Sequence, residues 1–220
     1  SDVCSSDLEK NHAYVVALDP SLGTGGDYAA IQVIELPECR QIAEWQHNKT
    51  IIQRQAQLIK EICQSIYEAT ESETDIYYSV ENNTLGEAAL ISIAEYGEEN
   101  IQGYFLSDNT VVSSGGRRFR KGFNTTNKAK LSACNKLKVL IESGRMTINS
   151  APLVSELKTF VAHGTSYAAK PGETDDLVMA SLLAVRMMQL LQSYHTELDN
   201  QLRDHGDVQI DPLPFIAMIG

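Results

Sequence analysis

The sequence predicts an α/β domain: a mixed sheet with helices on both faces. Three observations predict it. Short, β-branched apolar runs alternate with stretches in which apolar residues recur every three or four positions. The first three runs follow one another through tight connections, as in an antiparallel meander, whereas later runs are separated by helical stretches, as in parallel crossovers. The 220 residues suffice for one sizeable core and would be cramped as two domains. An apolar content of 43% and a charged content of 21% are ordinary for a globular chain.

The elements read in order as follows. Residues 1–11, SDVCSSDLEKN, show no periodicity and are expected to be a disordered or foreign leader. AYVVALDP (13–20) is a buried strand stopped by Pro20. SLGTGGD (21–27) is a glycine-rich turn, and YAAIQVIEL (28–36) and RQIAEWQHN (40–48) are two more strands. Ile52, Ala56, Ile59, Cys63 and Ile66 then mark an amphipathic helix, with Thr50 as its expected cap. DIYYSVE (75–81) is a fourth strand, LGEAALISIAEYG (85–97) a helix closed by Gly97, and IQGYFL (101–106) a fifth strand. Residues 107–126 are polar and glycine-containing, consistent with a hairpin; a helix follows over 127–142, then a short edge strand at 145–148 and a helix beginning near Pro152. Residues 160–169 read as extended. A core-packed helix starts at Thr174, apolar on nearly every face but too charged at its start and too short to span a bilayer. Residues 193–220 form an acidic extension, so the domain proper is expected over 12–192. Three antiparallel strands, a crossover helix and a parallel strand follow the order of a ribonuclease H-like fold of the resolvase or integrase type.

Composition excludes some chemistries. No run of 18 apolar residues exists, and the first eleven residues lack a basic start and an apolar stretch, so a cytoplasmic chain is expected, with no membrane span or signal peptide. Cys4, Cys39, Cys63 and Cys134 include no C-x-x-C pair and have no histidine at ligand spacing, which argues against zinc; Cys63 and Cys134 fall in helical apolar patterns and read as buried thiols. No P-loop, dinucleotide fingerprint or G-x-S-x-G is present. His163, in the extended segment, reads as a structural histidine or a cleft-lining one.

The net charge of −11 argues at first against nucleic acid, but its distribution argues for it. Residues 114–138 carry Arg117, Arg118, Arg120, Lys121, Lys128, Lys130, Lys136 and Lys138 and no acidic residue. Such an island is either a solvated basic face or the footprint of a phosphate backbone.

Three carboxylates stand out. Asp19 closes an otherwise apolar strand on the same side as Val15 and Ala17; Glu81 closes the fourth strand beside Tyr77 and Ser79; Asp175 and Asp176 open the core helix, where the macrodipole favours negative charge. Each alone has a structural explanation, as a turn residue, a solvated strand end or a cap. Together, they occupy positions that one fold brings to one place. Carboxylates converging on rigid elements are what two-metal phosphodiester hydrolysis requires, with Mg²⁺ or Mn²⁺ as the hard ions they prefer. Asp27 is a candidate outer carboxylate.

The runs VVALDPSLGTGGDYAA, YYSVENN and GETDDLVMASLL resemble the C-terminal nuclease domain of the large terminase subunit of tailed bacteriophages, closest to the T-even-like group. NKAKLSACNKLKVLIESGRMTI is similar to the segment between that family's second and third acidic motifs, and the resemblance spans about residues 12–192. It implies a ribonuclease H-like nuclease that cuts concatemeric viral DNA with little sequence preference during genome packaging in the host cytoplasm. It implies Asp19, Glu81 and Asp176 as catalytic metal ligands, Asp176 being preferred to Asp175 because it directly precedes the Leu-Val run. Double-stranded DNA, a packaging ATPase domain, the portal or procapsid and the small terminase subunit are the implied partners. Two features depart from the family: Thr174 stands where relatives often have histidine, and no Walker motif accompanies the domain, so no ATP hydrolysis is expected.

The mechanism expected from these residues has Asp19 bridging two ions, with Glu81 and Asp176 completing their shells. Arg117, Arg118, Arg120, Lys121, Lys128 and Lys130 grip flanking phosphates without reading sequence. The rivals are a resolvase-type nuclease on branched DNA, an actin-like fold holding nucleotide phosphates, and a non-cutting module that grips DNA or docks on a procapsid.

Overall fold

The computed structural model describes residues 8–71, 74–83, 85–108 and 121–194. Strands β1 (Ala13–Asp19), β2 (Ala29–Leu36) and β3 (Arg40–His47) form the antiparallel meander. Helix α1 (Ile52–Ala69) crosses to β4 (Asp75–Val80), which pairs parallel to β1. Helix α2 (Gly86–Tyr96) leads to β5 (Tyr104–Phe105), parallel to β4. The five-stranded sheet therefore runs β3-β2-β1-β4-β5. Then come α3 (Asn127–Glu142), α4 (Ala151–Thr159), a hairpin of β6 (Phe160–His163) and β7 (Ser166–Ala169), and α5 (Asp176–Tyr194).

The central place of β1 explains its composition. It has a neighbour on each edge and helices on each face, so all but its first residue are buried and no alternation with polar residues is required. Tyr14, Val16 and Leu18 join Ile31 and Val33 of β2 beneath α1 and α2. Val15 and Ala17 join Ala30 and Ile34 beneath α3, α4 and α5. Helix α5 is apolar nearly all round because it is sandwiched between the sheet and the outer helices α3 and α4, with Val178, Ala180, Ala184, Val185 and Met187 fully buried. No helix of the described residues is long and apolar enough to cross a membrane. Cys39, Cys63 and Cys134 are buried free thiols; burial pushes Cys134 up to about 11 and Cys39 up to about 12, which leaves them packing groups rather than nucleophiles.

Several expectations are corrected. Thr50 does not cap α1: the cap position is Ile51, in extended backbone and without a side-chain cap. The Thr50 hydroxyl is instead 2.7 Å from His47 Nδ1, and its carbonyl accepts from the Gln55 side chain. The fifth strand shrinks to two residues because Gly103 turns the chain at φ 108° against the Ile76 carbonyl. Residues 145–148 contribute a single bridge, Thr147 to Arg40, rather than a strand. The extended stretch 160–169 is a separate hairpin, and the last helix begins at Asp176 rather than Thr174. Most of the hairpin expected over 107–126 lies outside the described residues, as do the leader's first seven residues and the acidic extension beyond Tyr194.

Helix α2 starts against the end of β4. A Cβ at Gly86 would lie 1.8 Å from the Glu81 carbonyl oxygen, so only glycine permits this approach. Gly86→Ala is expected to destabilise the fold by about 2 kcal/mol or more, read as a lower midpoint in urea denaturation at unchanged slope.

Candidate metal centre

Parallel pairing brings two carboxylates to the same end of the sheet. Ala17 pairs with Ser79 and Leu18 with Val80, and Glu81 N donates to the Leu18 carbonyl at 3.0 Å. Asp19 and Glu81 thus stand side by side as the last residues of adjacent strands, on the face that α5 covers. Asp176 opens α5 at that same end. Asp19 is 9% exposed and Glu81 7%, so both carboxyls are removed from most of the water that would solvate them.

The electrostatics follow from this crowding. Burial, then the Glu81 charge and a hydrogen bond with Glu81, then Asp176 and Asp175, hold the Asp19 carboxyl well above the usual carboxylate range. Burial and like charge both favour the neutral form of Asp19 over the charged one. Burial, then Glu156 and Asp175, and more weakly Asp27, push Asp176 up to about 7. Among the described residues no lysine, arginine or histidine forms an ion pair with Asp19, Glu81 or Asp176. The nearest buried cation, Arg186 of α5, feels Glu81 but bonds Asp108 at 2.7 Å and the Asn124 carbonyl and Thr125 hydroxyl at 3.2 Å each. A crowded, all-oxygen, uncompensated donor set fits a hard divalent cation and does not fit zinc's preference for nitrogen and sulfur.

Neutral groups hold the frame. Asn83 donates to Glu81 Oε2 at 3.1 Å while its own Oδ1 accepts from Leu85 N and Gly86 N, which fixes Glu81 and the start of α2 together. Gln55 of α1, fully buried, accepts from Ser21 N and donates to the Ser21 carbonyl, clamping the chain just after Asp19. The glycine-rich turn behaves as a turn: Gly23, at φ 72°, passes so close to the Thr50 carbonyl that a Cβ would sit 2.2 Å from it. Phe123 bridges Glu81 from the side opposite β1, and the Arg186 guanidinium lies 5.1 Å over its ring.

The remaining expected site residues fall in different places. Asp175 accepts from Ala169 N at 3.2 Å and so ties the hairpin to α5. Asp27 is exposed in the turn and touches the site only through its field. Lys128 is exposed on the first turn of α3; Lys130 lies 5.5 Å over the Phe160 ring. Lys121 is paired with Glu98 and packs 4.8 Å over Phe105, so it already has internal partners. Arg117, Arg118 and Arg120 lie outside the described residues. His163 sits exposed beside the hairpin turn.

Glu156, buried at 7% on α4, is the residue that sequence reasoning missed. Its signal was present: it occupies the slot three residues after Leu153 and four before Phe160, on the stripe α4 turns to the core. A different cluster, Glu9, His12 and Glu35, has ligand atoms within 4.8 Å of one another but lies at the other end of β1. There Glu35 is already held by Arg40 at 2.7 Å and by the Tyr14 hydroxyl at 2.9 Å.

A family model described as the terminase RNaseH-like domain matches residues 16–188. The fold is similar to that of the large terminase nuclease from thermophilic phage G20c with bound magnesium: TM-score 0.60 and 18% identity, over 82% of this chain and 84% of that one. It is also similar to the human cytomegalovirus terminase nuclease domain (TM-score 0.59, 14% identity, 80% and 82% covered). The Thermus phage P74-26 large terminase nuclease domain gives a TM-score of 0.53 at 18% identity, over 79% and 78%.

The crowded carboxyls set a pH dependence of stability. Asp176 is raised from an ordinary value near 4 to about 7, so the folded chain holds a proton that the unfolded chain releases between those values. The site's contribution is therefore greatest at acid pH and is lost as pH rises from about 4 to about 7. In EDTA, Asp19→Asn is expected to raise the melting temperature at neutral pH by roughly 2–4 °C, as about 1 kcal/mol of relieved repulsion would do. A thermal melt that falls instead contradicts the uncompensated site.

Proposed function

The chain belongs to the terminase RNaseH-like domain family, and from that premise we propose that it is a metal-dependent DNA endonuclease that cuts concatemeric viral DNA during genome packaging. The observation that carries the reading is the convergence of Asp19, Glu81 and Asp176 at one end of β1, β4 and α5 with no cation among the described residues paired to them.

Asp19, Glu81 and Asp176 would hold Mg²⁺ or Mn²⁺, two ions in the active complex. When bound, such ions supply an activated water for in-line attack on the scissile phosphorus and stabilise the leaving oxygen. The Asp19 carboxyl feels the charges of Glu81, Asp176 and Asp175, which supports placing it with Glu81 and Asp176 in one metal-holding set. Glu81 is oriented by Asn83, and Asp176 by the first turn of α5. Asp175, engaged with the hairpin, and Asp27, exposed, are outer carboxylates at most.

Exposed Lys128 opens α3 directly after the segment that bridges Glu81, which supports a role in holding phosphates beside the site. Arg117, Arg118 and Arg120 of the basic island would extend that grip. Contacts of this kind position a duplex without reading its bases. Within a packaging machine the domain would act with the ATPase domain, the portal or procapsid and the small terminase subunit, in the host cytoplasm.

A plasmid-nicking assay tests the reading. Wild type is expected to nick and linearise supercoiled DNA with Mg²⁺ or Mn²⁺ and not in EDTA, and Asp19→Asn, Glu81→Gln and Asp176→Asn each to lose at least about 100-fold in rate. Cutting that survives Asp19→Asn and Asp176→Asn overturns the assignment, and a strong preference for four-way junctions over linear duplex favours a resolvase instead. Binding should weaken steeply with salt. Lys128→Ala is expected to reduce the slope of log affinity against log salt by about one, measured by fluorescence anisotropy on unrelated duplexes.

A further inference from the structure

We propose that Glu156 is a positioning residue for the third metal-binding carboxylate: through hydrogen bonds to both sides of Asp176 it sets where that side chain stands. The proposal rests on the reading of Asp176 as a metal ligand.

Glu156 reaches from α4 to the start of α5. Its Oε2 accepts from the Val178 backbone N–H at 3.1 Å, two residues after Asp176. Its Oε1 accepts from the Thr174 hydroxyl at 3.0 Å, two residues before Asp176, and from Gln46 Nε2 of β3 at 2.8 Å. Asp176 is thereby bracketed in sequence by the two residues that Glu156 holds, and the bracket is anchored to the sheet through Gln46.

The first turn of a helix has amide groups without internal partners, and the residue before it usually satisfies one with its own side chain. Asp175 occupies that place, but its carboxylate accepts from Ala169 N of the hairpin. The duty at Val178 passes to Glu156, from another helix. Burying a carboxylate among carboxylates is unfavourable, and an uncharged residue would fill the same space without that cost. What the carboxylate provides is two oxygens that between them accept three bonds, a geometry no apolar residue reproduces. With both oxygens engaged, Glu156 is turned to the frame rather than toward a metal. Thr174 acquires a role here as well, as the hydroxyl that links this frame to the segment entering α5.

The test is Mn²⁺ binding by the full chain, followed by calorimetry and by loss of the free-ion electron paramagnetic resonance signal, beside a thermal melt in EDTA. Residues that orient metal ligands typically change metal affinity by about 10–100-fold. Glu156→Gln keeps one acceptor oxygen and is expected to remain folded while its Mn²⁺ affinity falls about tenfold. Thr174→Val removes one of the three bonds and is expected to shift affinity in the same direction by about threefold. A merely structural role predicts a lower melting temperature with wild-type affinity in both variants, and that result overturns the proposal. If Glu156→Gln does not fold, Thr174→Val decides alone: unchanged affinity overturns the proposal and weakened affinity supports it. Wild type that binds Mn²⁺ but never nicks DNA would sink the nuclease reading and leave the positioning result standing.

Discussion

Like-charge repulsion inside a rigid frame is the constraint around which the fold is organised. Asp19, Glu81 and Asp176 crowd into a largely buried place where charged carboxylates repel one another, and burial together with this repulsion raises Asp19 and Asp176 above the ordinary carboxylate range. An arrangement so unfavourable persists only if the backbone beneath it is held on every side. The parallel pairing of β1 with β4 puts two strand ends, and so two carboxylates, at one edge. The N-terminus of α5 brings the third, and its unpaired amide groups and positive dipole end soften the repulsion without neutralising it.

The frame is rigid because polar side chains bind the elements at their ends. Gln55 clamps the turn after β1, Asn83 joins Glu81 to α2, and Glu156 joins α4 and β3 to α5. A further buried group sets α4 itself. Gln41 of β3 accepts from Asn149 N and Ser150 N at 3.0 Å each and donates to Gln32 of β2 at 2.8 Å, and the Ser150 hydroxyl caps α4. Moving β3 therefore moves the start of α4, and with it Glu156. The apolar core supplies most of the free energy of folding, whereas these directional bonds decide where the carboxylates point.

The legible part of this design was periodic. The apolar run of β1, the three-and-four spacing of α1 and the two-residue alternation that puts Asp19 with Val15 and Glu81 with Tyr77 are all local patterns, and the structure reproduces them. The caps of α3 at Thr126 and of α4 at Ser150 are local too, three residues from the amides they bind, but the sequence reading did not pick them out. Illegible features depend on contacts distant in sequence. Thr50 looks like a cap, but its carbonyl is drawn to Gln55 and its hydroxyl to His47. Glu156 has a buried partner 22 residues away, at Val178, and another 110 residues away, at Gln46. No window of sequence contains both ends of such a bond. The same holds for Lys121, which belongs to a basic island by position but to Glu98 and Phe105 by contact.

The treatment of Arg186 shows how the charge deficit is kept. A buried arginine on the helix that Asp176 opens, close enough to feel Glu81, would ordinarily pair with a carboxylate of the site. Here Asp108 takes it at 2.7 Å, while Asn124 and Thr125 occupy further donors and the Phe123 ring covers its face. The guanidinium thus stabilises the segment that bridges Glu81 while its charge is already balanced. Had it turned to Glu81 instead, the site would be better compensated in isolation and weaker as a cation trap, because a metal ion would first have to displace a buried salt bridge. Holding the arginine on Asp108 keeps its charge off the carboxylates, which is the arrangement that the proposed role in holding a divalent ion requires.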